Sequence, residues 1–91
     1  MNIKRLILTG TIQEVKFDNM KSNAWLVKNF SNSDIFVSYD ENLDENSSIK
    51  IKPEYAQICL MTKAGLYGYN NGNLVNTIYI KGTGEVEVQP L

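Results

Sequence analysis

Apolar and polar side chains alternate at every second position in several short segments of this chain, and this period limits its fold more than any other feature. The clearest alternating apolar residues are Ile35 and Val37, Ile49 and Ile51, Ile78 and Ile80, and Val86 and Val88. Successive side chains of a β-strand point to opposite faces, so each segment predicts a strand with one buried and one solvent-facing side. No longer segment has the spacing of an amphipathic helix, and the sequence therefore predicts an all-β fold.

Turn-forming residues separate the alternating segments at regular intervals. Residues 31–34 predict a short hairpin between two strands, Asn71 and Gly72 favour a two-residue turn, and residues 82–84 connect the last two strands. We predict about seven or eight short strands, near residues 3–9, 11–17, 24–30, 34–40, 48–52, 55–61, 74–81 and 84–89. This spacing indicates a small antiparallel β-sandwich or a partly closed barrel. The predicted core adds Leu6, Leu8, Ile12, Val27, Ile58 and Leu60 to the alternating residues.

The length and charge of the chain restrict its partners. Its 91 residues suffice for a single all-β domain, residues 1–91, and leave too little chain for a second core. A domain of this size buries only about 60–65% of the surface of its unfolded chain, so association with copies of itself would add stabilising burial. Nine basic and ten acidic residues give a net charge of −1. The lysines are scattered, and no basic stripe predicts binding to nucleic acid or recruitment to a membrane.

The N-terminal segment and the cysteine content bear on the compartment. Lys4 and Arg5 are followed by only three apolar residues, which is too short for a signal-peptide core or a membrane span. The single cysteine, Cys59, has no partner for a disulfide within the chain. A small secreted domain often carries several cysteines, so a reducing compartment is favoured.

Histidine is absent from the chain, and its absence argues against most familiar catalytic mechanisms. It removes histidine-activated serine and cysteine nucleophiles, imidazole acid–base catalysis and histidine metal sites, while a lone cysteine excludes thiolate zinc sites. Catalysis by paired carboxylates needs a shaped, partly dry pocket, for which a domain this small has little room. We therefore predict a protein that is not an enzyme, has no catalytic residues and uses no cofactor.

An acidic segment at residues 40–46 spaces oxygen ligands at alternate positions, as calcium-binding loops do. Asp40, Asn42 and Asp44 fit the first three ligand positions of such a loop. Glu45 stands where the loop needs glycine at its sixth position, and Ile51 stands at the twelfth. A solvated loop between strands is the simpler interpretation. We predict no metal site and keep these three residues as a calcium candidate.

The candidates for contact with a partner or ligand are Trp25, Cys59, Met61, Tyr67 and Tyr69. Tyr67 and Tyr69 lie in a glycine-rich segment and could form an aromatic surface for a sugar or a protein, or pack on neighbouring strands. Trp25 is favoured as a packing residue over an exposed binding residue. Cys59 and Met61 share a strand face that is expected either at a subunit contact or partly buried.

A longer pattern of strands and turns supports a family resemblance. Residues 25–30 form a hydrophobic strand ending near Asn29, and a small polar turn leads into the Ile-x-Val strand of residues 35–37. An acidic loop, a short strand with a turn at Pro53, and the strands at 77–82 and 84–89 follow. Over about residues 24–89 this pattern resembles small structural proteins of tailed bacteriophages. The resemblance implies a compact β-sandwich without catalytic residues, present in the virion in several copies as a head-decoration, head–tail or tail subunit.

The leading functional hypothesis is therefore a non-enzymatic bacteriophage or prophage structural protein, made in the bacterial cytoplasm. It would self-associate or dock onto a capsid or tail assembly, with copies of itself or other virion subunits as partners. The alternative is a carbohydrate-binding or adhesion module, in which Trp25, Tyr67 and Tyr69 stack on sugar rings. A third hypothesis is a small barrel that binds single-stranded nucleic acid. It needs a basic groove with interleaved aromatic residues, which the scattered lysines do not supply.

Overall fold

Eight β-strands make up the fold in the computed structural model, which describes residues 2–60 and 74–91. The strands are β1 (Lys4–Thr9), β2 (Gln13–Lys16), β3 (Ala24–Asn29), β4 (Ile35–Ser38), β5 (Ile49–Ile51), β6 (Ala56–Leu60), β7 (Thr77–Lys81) and β8 (Thr83–Pro90). They form two antiparallel four-stranded sheets. The prediction of an all-β sandwich is confirmed, and the sheets do not close into a barrel. Within the described residues, no helix has the length and apolar character needed to cross a membrane.

The strand order defines a known arrangement. The first sheet has the order β1-β8-β3-β6 and the second sheet has the order β2-β7-β4-β5. Strand β1 pairs with β8, β2 with β7, β3 with β6, and β4 with β5. The described strands therefore form one long hairpin, whose two arms are rolled together into two facing sheets. This is the jelly-roll arrangement of a β-sandwich.

The core lies between the two sheets, and a tryptophan occupies one end of it. Trp25 is fully buried, and the centroid of its indole lies 5.5 Å from that of the Phe17 ring. The indole N–H donates to the backbone carbonyl of Ser22, so the polar group of this large side chain is satisfied. The structure thus shows the packing role favoured for Trp25. The other buried members of the core cluster are Leu8, Val15, Val27, Ile35, Val37, Ile51, Cys59, Val75, Ile78, Ile80, Val86 and Val88.

Residues 31–34 do not form the predicted hairpin. Strand β3 belongs to the first sheet and β4 to the second, so the chain crosses between sheets at this point. The buried side chain of Asn29 organises the crossing. Its amide nitrogen donates to the carbonyls of Ser33 and Ile51, while its oxygen accepts from the backbone N–H and the hydroxyl of Ser31. The polar turn residues thus satisfy the buried amide of Asn29.

Three residues predicted for the core are exposed instead. Ile12 is 39% exposed because it lies in the connection before β2, outside any strand. Ile58 and Leu60 are 57% and 77% exposed. The register between β3 and β6 explains these two, since it places Cys59 opposite the buried Trp25. Cys59 therefore faces the core, and its neighbours along the strand face outward.

Candidate functional site

The most apolar exposed part of the first sheet lies along its edge strand β6. Ala56, Ile58 and Leu60 occupy the outer side of this strand, and we call these three residues the β6 face. Tyr55, immediately before the strand, is 64% exposed. On the neighbouring strand, half-buried Leu26 lies opposite Ile58 and half-buried Ala24 lies opposite Leu60. The β6 face therefore continues inward as an apolar surface. Such contiguous exposed patches are typical of interaction sites.

Strand β6 is also the one edge strand described here that carries no charge. The other edge strands are β1, β2 and β5, and each contains at least one lysine, at positions 4, 16 and 50. Charged side chains on edge strands hinder unwanted pairing with other chains. Residues 56–60 read Ala-Gln-Ile-Cys-Leu, and among the described strands β6 pairs only with β3. Within residues 56–60, this edge therefore lacks the charged side chains that the other described edges carry.

A group of paired charges borders the β6 face on the outer side of the first sheet. The Glu87 carboxylate accepts a hydrogen bond from Arg5 Nε at 2.8 Å and lies 3.3 Å from Lys28 Nζ. The hydrogen bond from Arg5 and the nearby Lys28 hold the pKa of Glu87 below its usual value. Lys28 lies opposite Ala56 in the β3–β6 register. The charges next to the β6 face are thus already paired within the chain.

A second surface feature is a cleft of about 610 Å³ beside the second sheet. The described residues that line it are Lys21, Tyr39, Asp40, Glu41, Leu74, Val75, Asn76, Thr77 and Tyr79. Burial, with additional repulsion from the charges of Glu14, Glu41 and Asp40, raises the pKa of the Tyr79 hydroxyl. The cleft therefore combines two aromatic rings with carboxylate and amide groups. Sugar-binding surfaces use the same kinds of side chain, because rings stack on the sugar and polar groups bond its hydroxyls.

The structure places the five contact candidates as follows. Trp25 and Cys59 are fully buried, so neither side chain reaches the surface of this chain. Burial raises the pKa of the Cys59 thiol to about 11, which makes it a poor nucleophile. Met61, Tyr67 and Tyr69 lie outside the described residues. The predicted face that joined Cys59 to Met61 is therefore turned toward the core at position 59.

The calcium candidates use their carboxylates to shape a loop. Asp40 Oδ1 accepts the backbone N–H of Asn42 at 2.9 Å, and Asp44 Oδ1 accepts that of Asn46 at 3.0 Å. These are Asx turns, which explain the alternating acidic pattern without a metal. Leu43 is buried and attaches the loop to the protein. Across residues 2–60 and 74–91, no group of three or more acidic or cysteine side chains could hold a metal ion.

Sequence reasoning missed the β6 face because it assigned Ile58 and Leu60 to the core. Both faces of this segment carry apolar residues, so periodicity alone does not show which face is buried. One signal was present: residues 55–60 contain no charged side chain. It has meaning only once the strand is known to lie at an edge. Tyr39 and Tyr79 carry no local signal for a binding site, since each lies in or next to a strand with period-two alternation.

Comparisons with protein-family models, with curated proteins and with solved structures found no match to this chain.

Proposed function

We propose that this chain is a non-enzymatic assembly domain that associates with copies of itself through the β6 face. One observation carries the proposal: an uncharged edge strand exposes Ile58 and Leu60 by more than half of their surface. Interface cores are depleted in charge and rich in buried apolar side chains, as this surface would be once covered. The paired charges around Glu87 would then belong to the polar rim.

The setting that we propose is the particle of a tailed bacteriophage or prophage. The resemblance of residues 24–89 to small phage structural proteins supports this setting. The jelly-roll arrangement is compatible with it, since viral capsid domains and lectins both use this fold. Fold analogy by itself does not choose between those two uses. In a particle, symmetric repetition of one contact surface would build a ring or lattice of identical subunits.

The test of self-association is sedimentation velocity of the purified chain over a concentration series. We expect the unmodified chain to sediment faster as its concentration rises. Ile58→Lys combined with Leu60→Lys should keep it monomeric, because charges on the β6 face would be desolvated and mutually repelled on association. Ile7→Lys is the matched control, since Ile7 is 66% exposed on the opposite edge strand of the same sheet. A strict monomer at every concentration would overturn self-association.

The cleft favours a second candidate function, carbohydrate binding, through side chains other than those predicted. Tyr39 is 40% exposed and Tyr79 is half-buried, so both could contact a sugar ring without large rearrangement. Glycan-array binding that disappears in Tyr79→Ala would support this candidate. Tyr55→Ala removes an equally aromatic and more exposed side chain from the other sheet and should leave such binding intact. Absence of binding to any glycan would remove this candidate and leave the assembly proposal unaffected.

A further inference from the structure

We propose that the partner of β6 is β6 of a second copy, paired antiparallel about a twofold axis at Ile58. The two first sheets would then join into one continuous eight-stranded sheet across the dimer. This inference rests on the proposed self-association and adds the identity, the direction and the register of the contact. Strand addition at an open edge is a general mode of association, in which main-chain hydrogen bonds supply part of the affinity.

The backbone of β6 shows which groups are free to bond. The N–H of Asn29 donates to the carbonyl of Tyr55 at 2.9 Å, and the carbonyl of Asn29 accepts from the N–H of Glu54 at 2.8 Å, so a bulge precedes the β3–β6 ladder. The carbonyl of Tyr55 points toward β3. Hydrogen-bonded positions alternate along an antiparallel ladder, so Gln57 and Cys59 also direct their main-chain groups toward β3. The N–H and carbonyl groups of the β6 face, at residues 56, 58 and 60, therefore point away from β3, toward the side of β6 on which no other described strand lies.

These outward groups are self-complementary in one register above all. With Ile58 opposite Ile58 of the second copy, Ala56 lies opposite Leu60 and Leu60 opposite Ala56. Every outward N–H then meets an outward carbonyl, which gives about six hydrogen bonds between the copies. Shifting the axis by one residue in either direction leaves part of the strand without a partner. The register centred on Ile58 uses the whole of β6.

The side chains fit the same register. On the outer side of the joined sheet, Ile58 would pack on its own symmetry mate at the axis. The small Ala56 would lie beside the large Leu60 of the second copy on either flank, so large and small side chains alternate across the contact. No charged residue lies within residues 56–60, so this pairing brings no like charges together.

A disulfide at the axis tests the register. Opposed residues of a hydrogen-bonded pair have Cα atoms roughly 5.5 Å apart, within the range that a disulfide spans. Ile58→Cys should therefore give a covalent dimer under mild oxidation. Ile7 is more exposed than Ile58 and lies on the far edge strand, so Ile7→Cys should give far less covalent dimer. The unmodified chain controls for Cys59, which is buried and should not cross-link.

A proline at position 56 tests the pairing without touching the β3–β6 ladder. The N–H of Ala56 points away from β3. Ala56→Pro therefore removes hydrogen bonds between the copies and none from the β3–β6 ladder. Loss of two such bonds per dimer should raise the dimer dissociation constant roughly 10- to 100-fold. Ala56→Ser keeps the N–H and should dimerise like the unmodified chain. Circular dichroism of each variant establishes that the monomer still folds.

The outcomes separate the two proposals. A dimer that tolerates Ala56→Pro and does not cross-link through Ile58→Cys overturns the strand pairing while self-association stands. A strict monomer overturns both. Hydrogen exchange adds an independent readout, because the amides of residues 56, 58 and 60 should be protected only at concentrations where the dimer forms. Protection that is equal at all concentrations would show an occupant within the chain itself and would contradict the pairing.

Discussion

Replacing Asn29 by alanine should destabilise this domain more than its small change in volume suggests. The side chain is 1% exposed and lies where the chain crosses from the first sheet to the second. Its amide nitrogen donates to Ser33 O at 2.9 Å and to Ile51 O at 3.1 Å. Its oxygen accepts the Ser31 N–H at 2.9 Å and the Ser31 hydroxyl at 2.6 Å. One side chain thus connects the turn to a strand of the opposite sheet.

The magnitude follows from the groups that Asn29→Ala leaves without partners. Three main-chain groups would lose this partner: the Ser31 N–H, the Ile51 carbonyl and the Ser33 carbonyl. The Ser33 carbonyl keeps the Ser31 hydroxyl as a donor, so the other two carry most of the cost. A buried polar group left without a hydrogen bond costs about 1–3 kcal/mol, so these two groups should together cost about 2–6 kcal/mol in the free energy of unfolding. A domain of this length has a total stability of about 5–14 kcal/mol. The substitution would therefore remove a large share of it.

Urea denaturation followed by tryptophan fluorescence measures this loss, because Trp25 is buried in the folded chain. Asn32→Ala is the matched control: it changes the same residue type at an exposed position of the same turn. The control should change the free energy of unfolding by less than about 0.5 kcal/mol. A loss below about 1 kcal/mol for Asn29→Ala, with an unchanged denaturant dependence, would refute the role assigned to this amide.

Three further predictions test other parts of the structure. Gly84→Ala should destabilise the fold by about 2–4 kcal/mol, since φ is 96° and the new Cβ would lie 2.4 Å from Ser31 Cβ. Gly10→Ala is the control and should cost less, because φ is similar at 95° but the nearest atom to its new Cβ lies 3.9 Å away. Equal losses of stability in urea titrations of the two variants would contradict the packing argument. Cys59 should resist iodoacetamide at pH 8 until denaturant is added, because burial raises its pKa to about 11, and rapid labelling of the folded chain would show that the thiol is exposed. The hydrogen bond from Arg5 lowers the pKa of Glu87 in the folded chain. The stabilisation from this ion pair should therefore be complete above the usual pKa of a glutamate and should be lost as the pH falls through the pKa of Glu87 in the folded state. Glu87→Gln should therefore be less stable than the unmodified chain at pH 7, and this difference should shrink as the pH falls below the usual range of a glutamate pKa, as measured by thermal unfolding.

The sequence predicts the strands of this fold well, because clean alternation marks a half-buried strand wherever one face is wholly apolar. Ile35 with Val37 and Ile78 with Ile80 show this pattern, and all four are fully buried. It does not predict the pairing, since nothing local distinguishes a hairpin turn from a crossing between sheets. The turn at residues 31–34 has hairpin-like composition, yet the buried amide of Asn29 uses its polar groups to make a crossing.

The candidate site is harder to predict than the fold. An exposed edge and a central strand have the same period-two pattern, and only the assembled sheet shows which strands have an open side. Ile58 illustrates the problem, because it is as apolar as the core residues and follows the same alternation. Its exposure is decided by the position of Cys59 opposite Trp25, which is a contact between residues distant in sequence.

That contact also explains why the composition of β6 points to a partner. Folding of one copy requires an apolar side chain where this strand reaches the core, and Cys59 meets that requirement. Gln57, on the same face of the strand, remains exposed. It makes no such demand on the outward face, where a lysine would cost little and would protect the edge. Ile58 and Leu60 are more than half exposed, so they contribute little to the core of their own chain. A second surface that covers Ile58 and Leu60 would explain why these two side chains are apolar. If that surface is a strand, it would also bond the outward N–H and carbonyl groups of β6.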